Sequence, residues 1–420
     1  MALGAGLTLT ACGSSLAAPA TGRGGGDPPG MTTGNGALAG QHSTADDVRA
    51  GAQGATGFVP FYRVPSPLAA APPGTIIRSQ PIGSAGQLPP GATAYRVIYH
   101  SESIDDTDIA VSGVVVVPGG IPPPGGFPIV SWAHGTTGLS DQCAPSVAGF
   151  GSIPYLDTML DARMIVAATD FEGLGTVHPY LVGQSEAQGV LDAARAARSL
   201  AGVAASNTVV VLGYSQGGQA ALFAGQIAQS YAPELFVAGV VAVAPVTSLT
   251  ELAPAVPGRA TDQDAGFAAM ALYAWSVAYG NFALSSVLDT TGLRNSALLG
   301  SACSSTVGSV YDAIPTDLLF RPGWSRIPAV SADNSVNQPG NAPISAPVLV
   351  VQGTRDSLVP YGTTTALVDT TLCRSQHDVV RYVPVAGASH SGALSSGQSI
   401  IEGWIADRVH RRVATDSCAR

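Results

Sequence analysis

The sequence predicts an α/β fold: a mostly parallel central sheet with helices on both faces and an inserted helical cap. Two observations predict the sheet. Short β-type runs alternate with segments whose apolar residues recur at helical spacing, and the later runs are apolar at nearly every position. Such alternation places helices on both faces of parallel strands. A third observation, an interval of about a hundred residues (246–345) between two strands, predicts the insertion because one crossover helix needs far fewer residues.

The first three strands are expected at 95–101, 109–118 and 127–135, where β-type runs are separated by Pro/Gly turns. The later elements follow from the alternation of the two periodicities. They are, in chain order, strand 164–170, helix 185–202, strand 208–215, helix 216–232, strands 236–245, 346–353 and 379–387, and helix 396–412.

The insertion contains a segment, residues 265–288, without a charged side chain over 24 positions. Its length invites a membrane-spanning interpretation. That interpretation would place strands of one sheet on opposite sides of a bilayer, so a helical cap over the carboxyl-terminal edge of the sheet is preferred and membrane insertion is the alternative. The core is then expected at 58–245 and 346–420, with the cap or lid at 246–345.

The amino terminus resembles an export signal. Leu9-Thr10-Ala11 precedes Cys12, as at the processing site of bacterial lipoproteins, where the cysteine is acylated, although none of the eleven preceding residues is charged. The alternative is a truncated ordinary signal. Residues 1–12 are therefore assigned to the signal and residues 13–57 to a flexible tether, because they carry few large apolar side chains. Both alternatives place the protein outside the cytoplasm, secreted or on the cell surface, with envelope association through a lipidated Cys12.

Charge and cysteine content narrow the possible partners. The formal net charge is −9, with 19 arginines and no lysine, and no basic stripe lies along the chain, so nucleic acid is not expected as a partner. The four cysteines after Cys12 allow two disulfides in an oxidising compartment, in any of three pairings. They are Cys143, Cys303, Cys373 and Cys418.

Ser215 is the candidate nucleophile. It lies in the G-x-S-x-G pattern of residues 213–217, which by itself is weak in a chain with 51 glycines. The pattern gains weight from its context, because it joins an apolar strand to the start of a helix, the elbow that exposes a serine nucleophile. The helix amino terminus then faces any negative charge that develops there.

A serine nucleophile needs a base and a group that orients the base. Asp356 follows the strand at 346–353 and His390 follows the strand at 379–387. The order Ser215, Asp356, His390 is that of α/β-hydrolases. Other acids and histidines of the chain fit this order less well: Asp369, Asp378, His100, His134, His178, His377 and His410.

An oxyanion hole needs two backbone donors. One is expected from Gln216, the residue after the nucleophile, and the other from Gly135 or Thr136 in the loop after an early strand. This chemistry requires no metal and no cofactor.

Four segments together resemble the secretory lipase family, from about residue 58 to the carboxyl terminus. They are VSWAHGTTGLSDQCAPS (130–146), ATDFEGLGTVHPYLVGQSEAQGVLDAARA (168–196), LGYSQGGQAA (212–221) and VQGTRDSLVP (351–360). The resemblance implies an α/β-hydrolase core with a cap inserted before the acid-bearing strand, and the triad Ser215, Asp356 and His390. It also implies the disulfides Cys143–Cys303 and Cys373–Cys418. The stretch GTVHPY (175–180) departs from the family pattern, which leaves substrate preference open.

These observations favour an exported serine hydrolase, a lipase or carboxylesterase that cleaves fatty-acyl esters such as acylglycerols through an acyl-enzyme. The charge-free segment is interpreted either as an acyl-binding surface or as ordinary packing of the cap on the core. Two alternatives remain: a cell-envelope acyltransferase, and a non-catalytic surface-binding protein of the same fold.

Overall fold

A computed structural model describes residues 60–83, 86–252 and 264–418, which belong to the unit Ser43–Arg420. The expected signal (1–12), its Cys12 and the tether (13–57) lie outside the described residues, as does part of the insertion, 253–263.

The described residues form one nine-stranded sheet in the order β1-β2-β3-β5-β4-β6-β7-β8-β9. The pairs β1–β2, β2–β3 and β3–β5 are antiparallel, and every pair from β5 through β9 is parallel. The strands are β1 (Ile76–Ile82), β2 (Thr93–Glu102), β3 (Asp108–Val117), β4 (Phe127–Ala133), β5 (Ile165–Thr169), β6 (Ala205–Tyr214), β7 (Phe236–Val243), β8 (Val348–Gly353) and β9 (Val380–Val385).

The helices fall into two groups, those of the core and those of the insertion. The core helices are α1 (Pro145–Ala148), α2 (Leu156–Asp161), α3 (Gly183–Ser199), α4 (Gln216–Tyr231), α13 (Tyr361–Ala366), α14 (His390–Ser396) and α15 (Gln398–Val409), with a π-helix (Leu367–Ser375) and 3-10 turns (Pro60–Tyr62, Asp141–Cys143). The insertion holds α5 (Leu249–Leu252), α6 (Ala265–Ala278), α7 (Leu284–Val287), α8 (Thr290–Arg294), α9 (Ser296–Ser301), α10 (Ser304–Tyr311), α11 (Thr316–Leu319), a 3-10 turn (Trp324–Arg326) and α12 (Pro328–Val336).

Alternate residues of the parallel strands enter two separate cores. In β6, Val209 and Val211 pack with α3 and α4, whereas Val210 and Leu212 pack with α2 and α15 on the opposite face. Both sets are fully buried, which explains why the strand is apolar at successive positions. The predicted fold class, a mostly parallel sheet with helices on both faces, is confirmed.

Two local expectations need correction. Strand β1 was not predicted, because IIRSQPI alternates only weakly and contains a proline, and its side chains are at most half-buried at the sheet edge. The closing helix was expected at 396–412 but runs over 398–409, after the separate short helix α14.

The insertion packs around a third hydrophobic cluster, which includes Met270 and Trp275 and is shared with Tyr180, Leu181 and Val359 outside the insertion. Helix α6, the longest helix in it, is buried on nearly all sides, which explains the absence of charged side chains. Within the described residues, no helix has the length and apolar character needed to cross a bilayer.

Candidate active site

Ser215 lies at a sharp turn between β6 and α4. Its backbone adopts φ 57° and ψ −119°, a conformation that residues other than glycine rarely take. The Ser215 N–H donates to the carbonyl of Val243 at 2.9 Å, which fixes the turn against the end of β7. Such a backbone outlier persists only where surrounding contacts enforce it, and it is common at active sites.

Glycines make this turn sterically feasible. A Cβ on Gly213 would stand 1.8 Å from the carbonyl oxygen of Gly217, and a Cβ on Gly217 would stand 2.0 Å from that of Ala133. Strand β4, strand β6 and helix α4 therefore approach one another closer than any side chain permits. The glycines of the G-x-S-x-G pattern are required by packing as well as by the turn.

His390 joins Ser215 to Asp356. It is the first residue of α14, just after β9, and Ser389 caps this helix by accepting a hydrogen bond from Gly392 N–H at 3.2 Å. His390 Nε2 lies 2.8 Å from Ser215 Oγ, and its Nδ1 lies 2.7 Å from Asp356 Oδ2. Both distances are those of hydrogen bonds, with Nδ1–H as the donor to the carboxylate.

The side chain of Asp356 is completely buried and accepts several hydrogen bonds. Its Oδ1 accepts from the N–H groups of Leu358 and Val359, at 2.9 and 2.8 Å. Its Oδ2 accepts from Gln352 Nε2 at 2.9 Å in addition to His390. These donors hold the carboxylate of Asp356 in place beside His390.

Most of the other candidate acids and histidines lie away from Ser215. His100 pairs with Asp108 in β2 and β3 at 2.8 Å, and Asp378 accepts from Ile344 N–H at 2.8 Å. His410 is exposed just after α15, Asp369 is exposed on the π-helix, and His377 lies just before β9. His134 and His178 do border the site, although neither contacts Asp356 in the described hydrogen bonds.

Two regions can donate to an oxyanion at Ser215. Gln216 is the first residue of α4, so its N–H has no acceptor within the helix. Gly135 lies beside the nucleophile: a Cβ on it would stand 3.6 Å from Ser215 Cβ. Thr136, the next residue, lines the same pocket and its hydroxyl bonds to Tyr180 OH at 3.0 Å.

A buried polar network holds the side chain of Gln216. Its Nε2 donates to Glu186 Oε1 at 2.8 Å and to His178 Nε2 at 2.7 Å. His178 Nδ1 in turn donates to the carbonyl of Glu172 at 2.7 Å. Burial raises the pKa of Glu186 to about 8 and lowers that of His178 to about 3, so both side chains are neutral at pH 7.

The pocket at Ser215 has a volume of about 370 Å³. Polar groups of the loop after β4 form one side, and apolar side chains form much of the rest, with Phe267 contributed by α6 of the insertion. The lining residues include Trp132, Gly135, Thr136, Tyr180, Tyr214, Val246, Phe267, Leu358, His390 and Leu394. His178 and Tyr180 both belong to the GTVHPY stretch, so this departure from the family pattern lies at the site.

Two disulfides join distant segments, in the pairs that the resemblance implies. Cys143–Cys303 connects the loop after β4 to the insertion, and beside it Ser304 N–H donates to the carbonyl of Thr137 at 2.8 Å. Cys373–Cys418 fastens the carboxyl-terminal tail to the π-helix.

The sequence did not predict the contacts that three residues make at the site: Gln352 with Asp356, and Glu186 and His178 with Gln216. Gln352 precedes Asp356 by four residues and is a lone polar side chain in a buried strand. Glu186 stands on the buried face of α3, four residues before the fully buried Val190. A polar residue at a core position of a strand or helix is the signal that identifies Gln352 and Glu186.

In the described part of the chain, no group of three His, Cys, Asp or Glu residues is arranged to hold a metal ion.

Comparison with known proteins gives consistent results. The family model described as secretory lipase matches residues 154–417, more than half of the chain. A Mycobacterium tuberculosis protein named as a probable inactive lipase is 25% identical over 388 residues, which cover 86% of this chain and 84% of that protein. A Malassezia globosa protein named as a secreted triacylglycerol lipase is 26% identical over 387 residues, or 85% and 80% of the two chains.

The fold has a close structural counterpart. The crystal structure of Candida antarctica lipase A in its closed state superposes with a TM-score of 0.72 and covers 86% of this chain and 88% of that one. The identity is 19%, so this similarity establishes the α/β-hydrolase fold alone.

Proposed function

Since the chain belongs to the secretory lipase family, we propose that it is an exported serine hydrolase that cleaves carboxylic esters. The observation that carries this proposal is the continuous pair of hydrogen bonds, 2.8 and 2.7 Å, from Ser215 through His390 to Asp356. The strained backbone of Ser215 and its place at the start of α4 add to it. Ser215 is the proposed nucleophile, His390 the base and Asp356 its orienting acid.

In the first half of the reaction, Ser215 Oγ attacks the ester carbonyl while His390 Nε2 takes its proton. The carbonyl oxygen becomes an oxyanion. The N–H of Gln216, with the N–H of Gly135 or Thr136, would stabilise this charge, and the dipole of α4 points its positive end at the same place. The buried Glu186 and His178 would hold Gln216 while the charge develops.

In the second half, His390 returns the proton to the departing alcohol, which leaves the acyl group on Ser215. Water then attacks the acyl carbonyl while His390 takes its proton, and the acid is released when the bond to Ser215 Oγ breaks and His390 gives the proton to this oxygen. Asp356 orients His390 and stabilises the imidazolium, and Leu358, Val359 and Gln352 hold its carboxylate through three hydrogen bonds.

The substrates we propose are fatty-acyl esters such as acylglycerols. Phe267, Leu358 and Leu394 line the pocket with apolar surface, against which an acyl chain can pack. Residues 246–345 would act as a cap over this pocket, on a core formed by 58–245 and 346–420. Export agrees with the two disulfides, and acylation of Cys12 would hold the enzyme at the cell envelope.

A second candidate is a non-catalytic protein of the same fold, since one relative is named as a probable inactive lipase. A fluorophosphonate probe distinguishes the two, because it reacts only with an activated serine. We expect labelling of Ser215 in the folded chain and none in Ser215→Ala. Absence of labelling in the folded protein would overturn the enzymatic proposal.

The reaction itself is tested with p-nitrophenyl esters of increasing acyl length. We expect hydrolysis by the intact chain and a loss on the order of 10⁴-fold or more in Ser215→Ala. Product analysis with an added alcohol separates hydrolysis from acyl transfer: predominant formation of a new ester would assign the chain as an acyltransferase.

A further inference from the structure

A second concavity lies at the edge of the sheet opposite Ser215. It has a volume of about 470 Å³ and is formed where β7, β8 and β9 begin, together with the end of α15 and the tail that follows it. Ser215, Asp356 and His390 all follow the carboxyl ends of their strands, so this groove is separate from the candidate active site. We call it the arginine groove, after Arg408, Arg411 and Arg412 in its wall.

Arg408 is buried and, in the part of the chain that the structure describes, forms no ion pair. The residue is 3% exposed, and its Nε atom is buried without a hydrogen-bond partner. Across residues 60–83, 86–252 and 264–418, no carboxylate lies within ion-pair distance of it. Its guanidinium lies over the ring of Trp404 at 5.1 Å, and the indole N–H of Trp404 also lacks an acceptor. Burying an unpaired charge is costly, and an anion in the groove would remove that cost.

The remaining wall of the groove combines a second cation, one carboxylate and apolar surface. The carboxylate is that of Asp416, whose Oδ1 accepts hydrogen bonds from the N–H groups of Val380 and Cys418 at 3.3 and 3.1 Å. Arg411 is exposed and lies over the ring of Phe236 at 4.6 Å. Phe236 is 43% exposed and Val413 is 97% exposed, unusually high values for large apolar side chains in this chain. Arg412 differs from the other two arginines, because it pairs with Asp407 at 2.7 Å. The unpaired charge therefore sits at Arg408 and Arg411, next to Phe236 and Val413.

We propose that the arginine groove binds a single-chain carboxylate amphiphile, with its head group at Arg408 and Arg411 and its apolar chain along Phe236 and Val413. Carboxylate and guanidinium are complementary in charge and geometry. Hydrolysis of a fatty-acyl ester would release such a long-chain carboxylate. This source of the ligand rests on the proposed function, whereas the groove itself does not. A flat anionic membrane does not fit equally well, because Arg408 lies inside a concavity and is 3% exposed as a residue.

Calorimetric titration of the full chain carrying Ser215→Ala tests the groove without turnover. Decanoate, kept below its micelle concentration, is compared with decyltrimethylammonium, which has the same chain and the opposite charge. We expect decanoate to bind more tightly and Arg411→Gln to weaken it by about tenfold, the loss of one charge-assisted hydrogen bond. Arg408→Met should weaken it at least as much. Arg294→Gln removes an equal charge from an exposed site on α8 and should leave the affinity unchanged.

A photoreactive diazirine analogue of decanoate locates the binding site, since the active-site pocket also offers apolar surface. We expect cross-links in the peptides that contain Phe236 and Val413. Cross-links confined to the pocket around Trp132 and Leu394, or equal decanoate affinity in Arg411→Gln and the parent chain, would overturn the proposal. So would binding to anionic phospholipid vesicles that depends on Arg411 in a chain that does not bind decanoate.

The two proposals fail separately. Binding is measured on Ser215→Ala, so a chain that hydrolyses no ester can still bind decanoate in the groove. Conversely, ester hydrolysis by a chain that fails to bind decanoate would overturn the arginine groove alone.

Discussion

Asp356 and Arg408 are both buried charged side chains, but they lie at opposite edges of the same sheet and differ in their partners. Asp356 receives hydrogen bonds from two backbone N–H groups and two side chains. Arg408 has an aromatic ring against it and, within the described residues, no carboxylate at ion-pair distance. A buried charge whose partners are all supplied by the chain is a preorganised part of that chain, whereas a buried charge without partners indicates that the partner comes from outside.

The largest effect is expected when the negative charge of Asp356, which has hydrogen-bond partners on both oxygens, is removed. Asp356→Asn keeps the shape of the side chain but favours the wrong tautomer of His390, so we expect kcat to fall by about 10⁴-fold. Initial rates on a p-nitrophenyl ester measure this. Asp369→Asn, at the exposed acid on the π-helix, is the matched control and should retain activity. Near-normal activity in Asp356→Asn would mean that another acid orients His390.

The contribution of a single donor is smaller. Gln352 donates to Asp356 Oδ2 at 2.9 Å and also to the carbonyl of Val359. Gln352→Leu removes the donor and should lower kcat by about ten- to a hundredfold with little change in KM, because hydrogen bonds to charged groups contribute about 1.5–3 kcal/mol. An equal effect on KM, or no effect on kcat, would assign Gln352 to packing alone.

Glu186 shows a third way to bury an acid, which is to keep it protonated. Its pKa is raised from 4.5 to about 8 by burial, so between these values the folded chain binds more protons than the unfolded chain. The contribution of Glu186 to the free energy of unfolding is therefore highest below pH 4.5. It falls as the pH rises toward 8, by at most about 1.4 kcal/mol per pH unit. Glu186→Gln should remove this decline.

Urea unfolding of the parent chain and of Glu186→Gln at pH 5, 6, 7 and 8 measures the difference directly. Glu234→Gln is the control. Glu234 is partly exposed and its pKa is lowered by hydrogen bonds from Arg195, so its contribution should be constant over this range. Parallel pH profiles for the parent chain and Glu186→Gln would show that Glu186 is ionised when folded.

The smallest expected effect concerns the unpartnered charge. Because Arg408 lacks a counter-ion, Arg408→Met should leave the thermal midpoint of the ligand-free chain unchanged or raise it by a few degrees. Decanoate should raise the midpoint of the parent chain and not that of the variant. A large drop in the midpoint of Arg408→Met without ligand would mean that the chain itself already satisfies this guanidinium.

The sequence predicted most of the sheet because buried parallel strands must be apolar at consecutive positions. It also predicted which residues meet at the candidate site, since Ser215, Asp356 and His390 each follow such a strand, and the carboxyl ends of parallel strands share one edge. Strand β1 escaped prediction because an edge strand needs neither continuous apolarity nor freedom from proline. The arginine groove escaped because its walls come from strand beginnings, a helix end and a tail that no local pattern connects.

The partners of Gln216 could not be read from local pattern either. Glu186 lies thirty residues before Gln216, and His178 lies in a loop, so their contacts depend on how α3 packs beneath α4. A lone glutamate on the apolar face of a helix marks a buried polar contact but does not identify the partner. The insertion illustrates the same limit: absence of charge over residues 265–288 indicates burial, and only tertiary contacts show that α6 is surrounded by protein.

The bond between Cys143 and Cys303 also bears on how this protein should be produced. It closes a segment of 160 residues and ties the loop that carries Gly135 and Thr136 to the insertion. In a reducing cytosol both cysteines would remain thiols, and one wall of the pocket would lose its covalent attachment. Two preparations with the same sequence, one made in the cytosol and one exported, are therefore expected to differ in specific activity, and titration of free thiols would tell them apart.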